Sequence, residues 1–205
     1  MKSLLLFCCL LATAPAFAQM QPPPPTSAEL AAKQKAAEQT QAIEKAGVGT
    51  VAALDARRGF RGFQLDAPVS QYPSLKPRSK GVYAAPEEVM TVGTARLNLL
   101  MFFEDKGRLS TIALGASGTE NCQALLDALS TQYGTPEKLD HQTWVWKGSF
   151  VTLYYTAKSH FVASGSPYIS GREVNTCEVM FTSSAIVAER VLEKENAAKK
   201  AASDL

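Results

Sequence analysis

Apolar and polar positions divide this chain into segments of different period. From Thr119 to Tyr133 the apolar residues Cys122, Leu125, Leu126, Leu129 and Tyr133 recur at spacings of three and four, which predicts an amphipathic helix. Gly134 stops that helix, Pro136 prevents its restart, and Thr119 is available to cap its start. Upstream, Thr94 to Phe103 is an apolar run of strand length. Glu104-Asp-Lys-Gly107 supplies a turn, and Arg108 to Leu114 returns as the second strand of a hairpin. Leu109 and Ile112 break strict alternation, which leaves room for a bulge in that strand.

Downstream, Gln142 to Lys147 and Phe150 to Thr156 flank Gly148-Ser149 and read as a second hairpin. Residues 158–172, KSHFVASGSPYISGR, read as a long polar loop, and Glu173 to Thr182 as a last strand. Ser183 or Ser184 can cap a closing helix whose Ile186, Val187, Val191 and Leu192 give it something to dock with. Beyond Glu193 the residues are Lys, Glu, Asn and Ala, a solvated extension.

The N-terminal half is less regular. Arg58 to Leu65, RGFRGFQL, alternates enough to predict a first strand, with glycines where the backbone bends or is closely approached. Residues 66–87 hold Pro68, Pro73, Pro77, Gly81 and Pro86 and exclude a long regular element, while Val89 to Val92 suits a short strand. Residues 27–46 are alanine-rich without Gly or Pro and predict a helix, opened by a Thr26/Glu29 capping box and supported by Glu29 and Lys33 one turn apart. Only Leu30 and Ile43 in it are large and apolar, so it reads as a solvated or weakly docked arm that Gly47 and Gly49 end. Before it, QMQPPPPT at 19–26 is a stiff polyproline leader.

The order predicts an α+β fold: an antiparallel sheet of hairpins packed against one main helix, with peripheral N- and C-terminal helices. The expected divisions are 1–18, 19–57, the α+β domain at 58–185 and a helical tail at 186–205.

The first division is an export signal. Lys2 is its basic start, Leu4 to Leu11 its apolar stretch, and Ala16-Phe17-Ala18 a cleavage site. That stretch falls short of the roughly 20 residues needed to span a bilayer, and no later segment is long and apolar enough. The expected location is therefore periplasmic or secreted. Removing the signal also removes Cys8 and Cys9, which leaves Cys122 and Cys177 to form one structural disulfide in an oxidising compartment. It would tie the main helix to the last strand. The formal net charge is +2 at pH 7, without the clustered basic face that nucleic acid requires.

Catalytic signatures are missing: no nucleophile elbow, Walker loop, H-E-x-x-H or C-x-x-C occurs. The two histidines, His141 and His160, have no companions at metal-ligand spacing, so neither a metal nor a cofactor is expected. A hydrolase using His160 with Ser164 or Ser166 is the alternative to a binding role. Trp144 and Trp146 share one face of a strand, either as the sheet's partners for Leu125 and Leu129 or as binding anchors. Phe161 and Tyr168 give the long loop two further aromatic anchors. Apolar side chains fall on both faces of the 150–156 strand, so the second face is either covered by residues 66–92 or partly a binding surface.

GFRGFQL at 59–65, followed by FFEDKGRLSTIAL, the helix ending LSTQYGTP, and TWVWKGSFVTLYY, resembles small, mostly uncharacterised exported bacterial proteins. The layout is similar to that of β-lactamase-inhibitor-like proteins and of small outer-membrane assembly lipoproteins. The chain lacks the lipobox of the latter and the tandem repeat of the former. The resemblance implies an α+β architecture and a bias toward protein binding, and carries over no functional residue. The expected role is a non-enzymatic binding or interaction module of the cell envelope, with an envelope protein as the expected partner.

Overall fold

The computed structural model describes residues 26–85, 90–162 and 172–203. The chain falls into two compact units, 1–36 and 37–205. The described part of the first unit is the N-terminal half of helix α1 (Ser27–Ala46), on which Leu30 is exposed. The Glu29 side chain of the expected capping box lies outside the described residues, as does the export signal.

The second unit continues with α2 (Val51–Arg57), the hairpin β1 (Gly59–Phe60) and β2 (Phe63–Gln64), and a 3-10 turn at Val69–Gln71. Strands β3 (Lys76–Ser79) and β4 (Val82–Ala84) follow, then the small pair β5 (Thr91–Val92) and β6 (Ala95–Arg96). Next come β7 (Leu99–Asp105), β8 (Arg108–Ser117), α3 (Thr119–Tyr133), β9 (Glu137–Lys138) and β10 (Thr143–Lys147). The unit closes with β11 (Val151–Val162), β12 (Arg172–Ser183) and α4 (Ser184–Ser203). Eight strands form one antiparallel sheet in the order β3-β4-β7-β8-β12-β11-β10-β9, so the fold is α+β with α3 as its main helix. None of the described helices is long and apolar enough to cross a membrane.

Strand alternation builds the core. One register row, Tyr83–Phe102–Ile112–Phe181–Leu153–Trp146, crosses six strands on the helix-covered face. The next same-face row is Leu100–Leu114–Val179–Tyr155–Trp144. Against them α3 buries Cys122, Leu125, Leu129 and Tyr133, the positions its period selects. Cys122 and Cys177 are joined, with a Cα–Cα distance of 5.6 Å, which fastens the start of α3 to β12. Residues 69–75 pack on this same face, where Leu75 is buried and Tyr72 stacks against Phe63. They leave Leu99 and Met180 exposed on the other face.

Local chemistry explains the joints. Lys106 and Gly107 both take left-handed φ angles, 51° and 80°, and make the tight turn between β7 and β8. Ser110 forms the expected bulge, because Phe103 pairs with Thr111 while Glu104 pairs with Leu109; its hydroxyl donates to the Phe103 carbonyl at 3.1 Å. Ser183 caps α4, its Oγ accepting the Ile186 N–H at 3.2 Å. Exposed pairs Arg108–Glu189 (2.7 Å) and Arg190–Asp105 (2.9 Å) lay α4 beside the β7–β8 turn.

Four expectations need correction. Arg58–Leu65 is a short hairpin rather than one strand, because Arg61 and Gly62 turn the chain back. The core begins before Arg58: α2 contributes Ala53 and Leu54, the latter 0% exposed. Thr119 does not cap α3, whose first non-helical neighbour is Gly118; its hydroxyl instead accepts from Asn175 Nδ2 at 2.7 Å. Residues 158–162 and 172 are strand rather than loop, since β11 and β12 stay paired out to Val162 and Arg172.

Candidate functional site

Within the second unit, the C-terminal half of α1, the β1–β2 hairpin, the Val92-Gly93 corner and α3 enclose a cavity of about 580 Å³. That lies in the range of small-molecule sites, roughly 300–1,000 Å³. The sequence places each wall. Gln39 turns inward on α1: its Nε2 donates to the Arg57 carbonyl at 3.1 Å, and its Oε1 accepts from Gln64 Nε2. Ile43, on the same helix, is half-buried and lines the cavity. This half of α1 is therefore docked, the second of the two expected alternatives, a solvated or a weakly docked arm. Two polar side chains hold it where its few apolar ones give little burial.

The hairpin forms the next wall. Helix α2 ends at Arg58, whose left-handed backbone (φ 51°) returns its N–H to the Leu54 carbonyl at 3.0 Å. A Cβ at Gly59 would stand 2.0 Å from the Phe63 carbonyl oxygen, so the two arms approach this closely only with glycine there. Arg61 sits exposed in the turn, with its Nη2 donating to the Thr91 carbonyl and its guanidinium 5.5 Å from the Phe60 ring. Phe60 in turn packs on Phe181, with ring centroids 5.9 Å apart.

Electrostatically the cavity is one-signed. Arg57 and Arg61 line it, and among the described residues no carboxylate does. Arg57 is half-buried and in no ion pair among the described residues, and its buried Nε has no hydrogen-bond partner. Asp55, its neighbour on α2, is occupied elsewhere: its carboxylate accepts the N–H groups of Ser149, Phe150 and Val151. The Tyr133 phenol also belongs to the lining; burial pushes it up to about 12, while the nearby Arg57 charge pulls in the opposite direction. It is a neutral hydroxyl at ordinary pH. Such a site can hold an anion against a half-buried guanidinium and an apolar body against Leu129 and Phe181.

Of the aromatic residues singled out by the sequence, neither Trp144 nor Trp146 lines the cavity. Trp146 is core, 1% exposed, with its Nε1 donating to the Gly134 carbonyl at 2.7 Å, and so offers no binding surface. Trp144 is half-buried, edge-on to Tyr155 at 5.5 Å, with Lys138 over its ring. Phe161 is a strand residue of β11 paired with Glu173. Tyr168, Ser164 and Ser166 lie outside the described residues. His141 is exposed in the turn before β10, and His160 is exposed on β11. Among the described residues no group of three or more His, Cys, Asp and Glu comes together. Sequence reasoning missed the cavity because segments far apart in the chain assemble it. The one local signal was the density of Arg, Gly and Phe in RRGFRGF at 57–63.

No family model, curated protein or solved structure matches this chain.

Proposed function

We propose that this chain is an exported binding module of the cell envelope, with the Arg57 cavity as its recognition site. The observation that carries the reading is Arg57 itself: among the described residues this half-buried cation is in no ion pair, and it lines a cavity with no acidic residue in its walls. A half-buried charge without a counter-charge is costly, and a bound anion would supply one. Export is supported by the basic, apolar and Ala-x-Ala segments at 1–18 and by the Cys122–Cys177 bond, which suits an oxidising compartment. The expected bias toward protein partners gives way to a small-molecule reading, since Trp146 is core and the concave surface lies at Arg57.

A thermal-shift screen tests this. Mature wild-type chain and Thr131→Trp, which places a large ring on an exposed lining position of α3, are melted against a panel of small anions, cations and neutral amphiphiles. The reading expects compounds that raise the wild-type melting temperature and leave Thr131→Trp unmoved. A panel that shifts both proteins equally, or neither, contradicts it.

A further inference from the structure

We infer that the cavity takes a monocarboxylate with an apolar body, its head group on Arg57 and its hydrocarbon against Phe60, Leu129 and Phe181. This rests on the reading of the cavity as the recognition site and adds the chemical class of its ligand.

Charge comes first. Among the described residues the cavity has two cations and no anion in its walls, so a cationic ligand would meet repulsion there. The cations differ. Arg61 is exposed, screened by water, and already donates to the Thr91 carbonyl. Arg57 is half-buried and in no ion pair among the described residues, so a single positive charge lacks a counter-charge there. One negative charge matches it, and a dianion would bring a surplus. A planar guanidinium also fits the two oxygens of a carboxylate side by side. The neutral Tyr133 hydroxyl is compatible with an anion beside it, where a phenolate would not be.

The remaining walls set the body of the ligand. Ile43, Val48, Phe60, Val92, Leu129 and Phe181 line the cavity, a surface that favours hydrocarbon over sugar or peptide backbone. Gln39, which also lines the cavity, is already engaged with the Arg57 carbonyl and Gln64.

Isothermal titration of the mature, disulfide-bonded chain with decanoate, decan-1-ol and decylammonium tests the inference. Decanoate should bind with one-to-one saturation, decanol roughly ten-fold or more weaker, and decylammonium not measurably. Arg57→Met should bind decanoate no better than decanol, Arg57→Lys should recover part of the preference, and Arg61→Gln should keep it. The melting temperature of each variant checks that it is folded. Decanol binding as tightly as decanoate to the wild type, or an Arg57→Met that keeps the preference, overturns the inference. Absence of binding by all three probes also overturns it. Thr131→Trp separates the two readings. If it removes binding of both decanoate and an equally tight decanol, the cavity is the site and only the carboxylate inference falls. If decanoate binding is untouched by it, both fall.

Discussion

Asp55 is the polar residue on which the packing of α2 depends. Its Oδ2 accepts the Ser149 N–H at 2.7 Å, and its Oδ1 accepts those of Phe150 and Val151 at 2.8 and 3.2 Å. One carboxylate thus holds the whole β10–β11 connection, close to a hundred residues further along the chain. Replacing it with alanine strands three amides. Those of Ser149 and Phe150 lie where water can reach, so their loss is partly made good; Val151 is 1% exposed, and its amide is not. Hydrogen bonds to a charged acceptor contribute about 1.5–3 kcal/mol each, and rehydration of two of them brings the expected loss for Asp55→Ala to about 2–3 kcal/mol. For a domain of this size that is roughly 5–10 °C in melting temperature. Gly148 is coupled to it, since a Cβ there would stand 2.3 Å from Asp55 Oδ1 and 2.7 Å from the Val151 carbonyl oxygen. Urea unfolding followed by far-UV circular dichroism would measure Asp55→Ala, Gly148→Ala and the double variant. The two losses should be strongly non-additive, because either change releases the same connection. A loss below about 0.5 kcal/mol for Asp55→Ala, or simple additivity, would refute the reasoning.

Reducing the Cys122–Cys177 bond, or making Cys177→Ser, should lower stability by roughly 4 kcal/mol in the chain-entropy treatment for a separation of 55 residues, read from denaturant midpoints with and without reductant. Trp146→Ala should cost about 3–5 kcal/mol, because it empties the end of the central core row and leaves the Gly134 carbonyl without its donor; a change under 1 kcal/mol in the same assay would place Trp146 outside the core. Stability should fall as pH rises from about 10 to 12. Unfolded tyrosines release their protons near 10, whereas burial holds Tyr133 and Tyr155 protonated up to about 12. Absorbance at 295 nm together with melts across that window checks this, and Tyr133→Phe should flatten the slope.

How legible the fold is depends on how local its causes are. The boundaries of α3 follow from its apolar period, Gly134 and Pro136, and the structure ends the helix at Tyr133. The bulge at Ser110 was visible as a break in alternation between Leu109 and Ile112. Helix α2 was not visible: VAALDAR is too short for a period to register, and its two buried residues, Ala53 and Leu54, matter only because α3 lies beneath them. The outer part of β11 carries Lys158, Ser159 and His160, a composition that reads as loop; it is strand because it pairs with β12. The central place of β12, between β8 and β11, is a long-range pairing that no local pattern states. The same holds for the cavity. Trp144 and Trp146 stood out as aromatics, but the side chain whose environment is unusual is Arg57, whose lack of a partner exists only in three dimensions.

The central claim is that the Arg57 cavity is where this protein binds. Amide chemical shifts of the mature chain, followed by two-dimensional NMR during a decanoate titration, test it most directly. The account predicts saturating shifts concentrated in Arg57–Gly62, Gly93 and Leu129–Tyr133, with the paired residues 158–162 and 172–176 unmoved. Shifts concentrated instead on those outer strands, or scattered over the sheet without saturation, would contradict it.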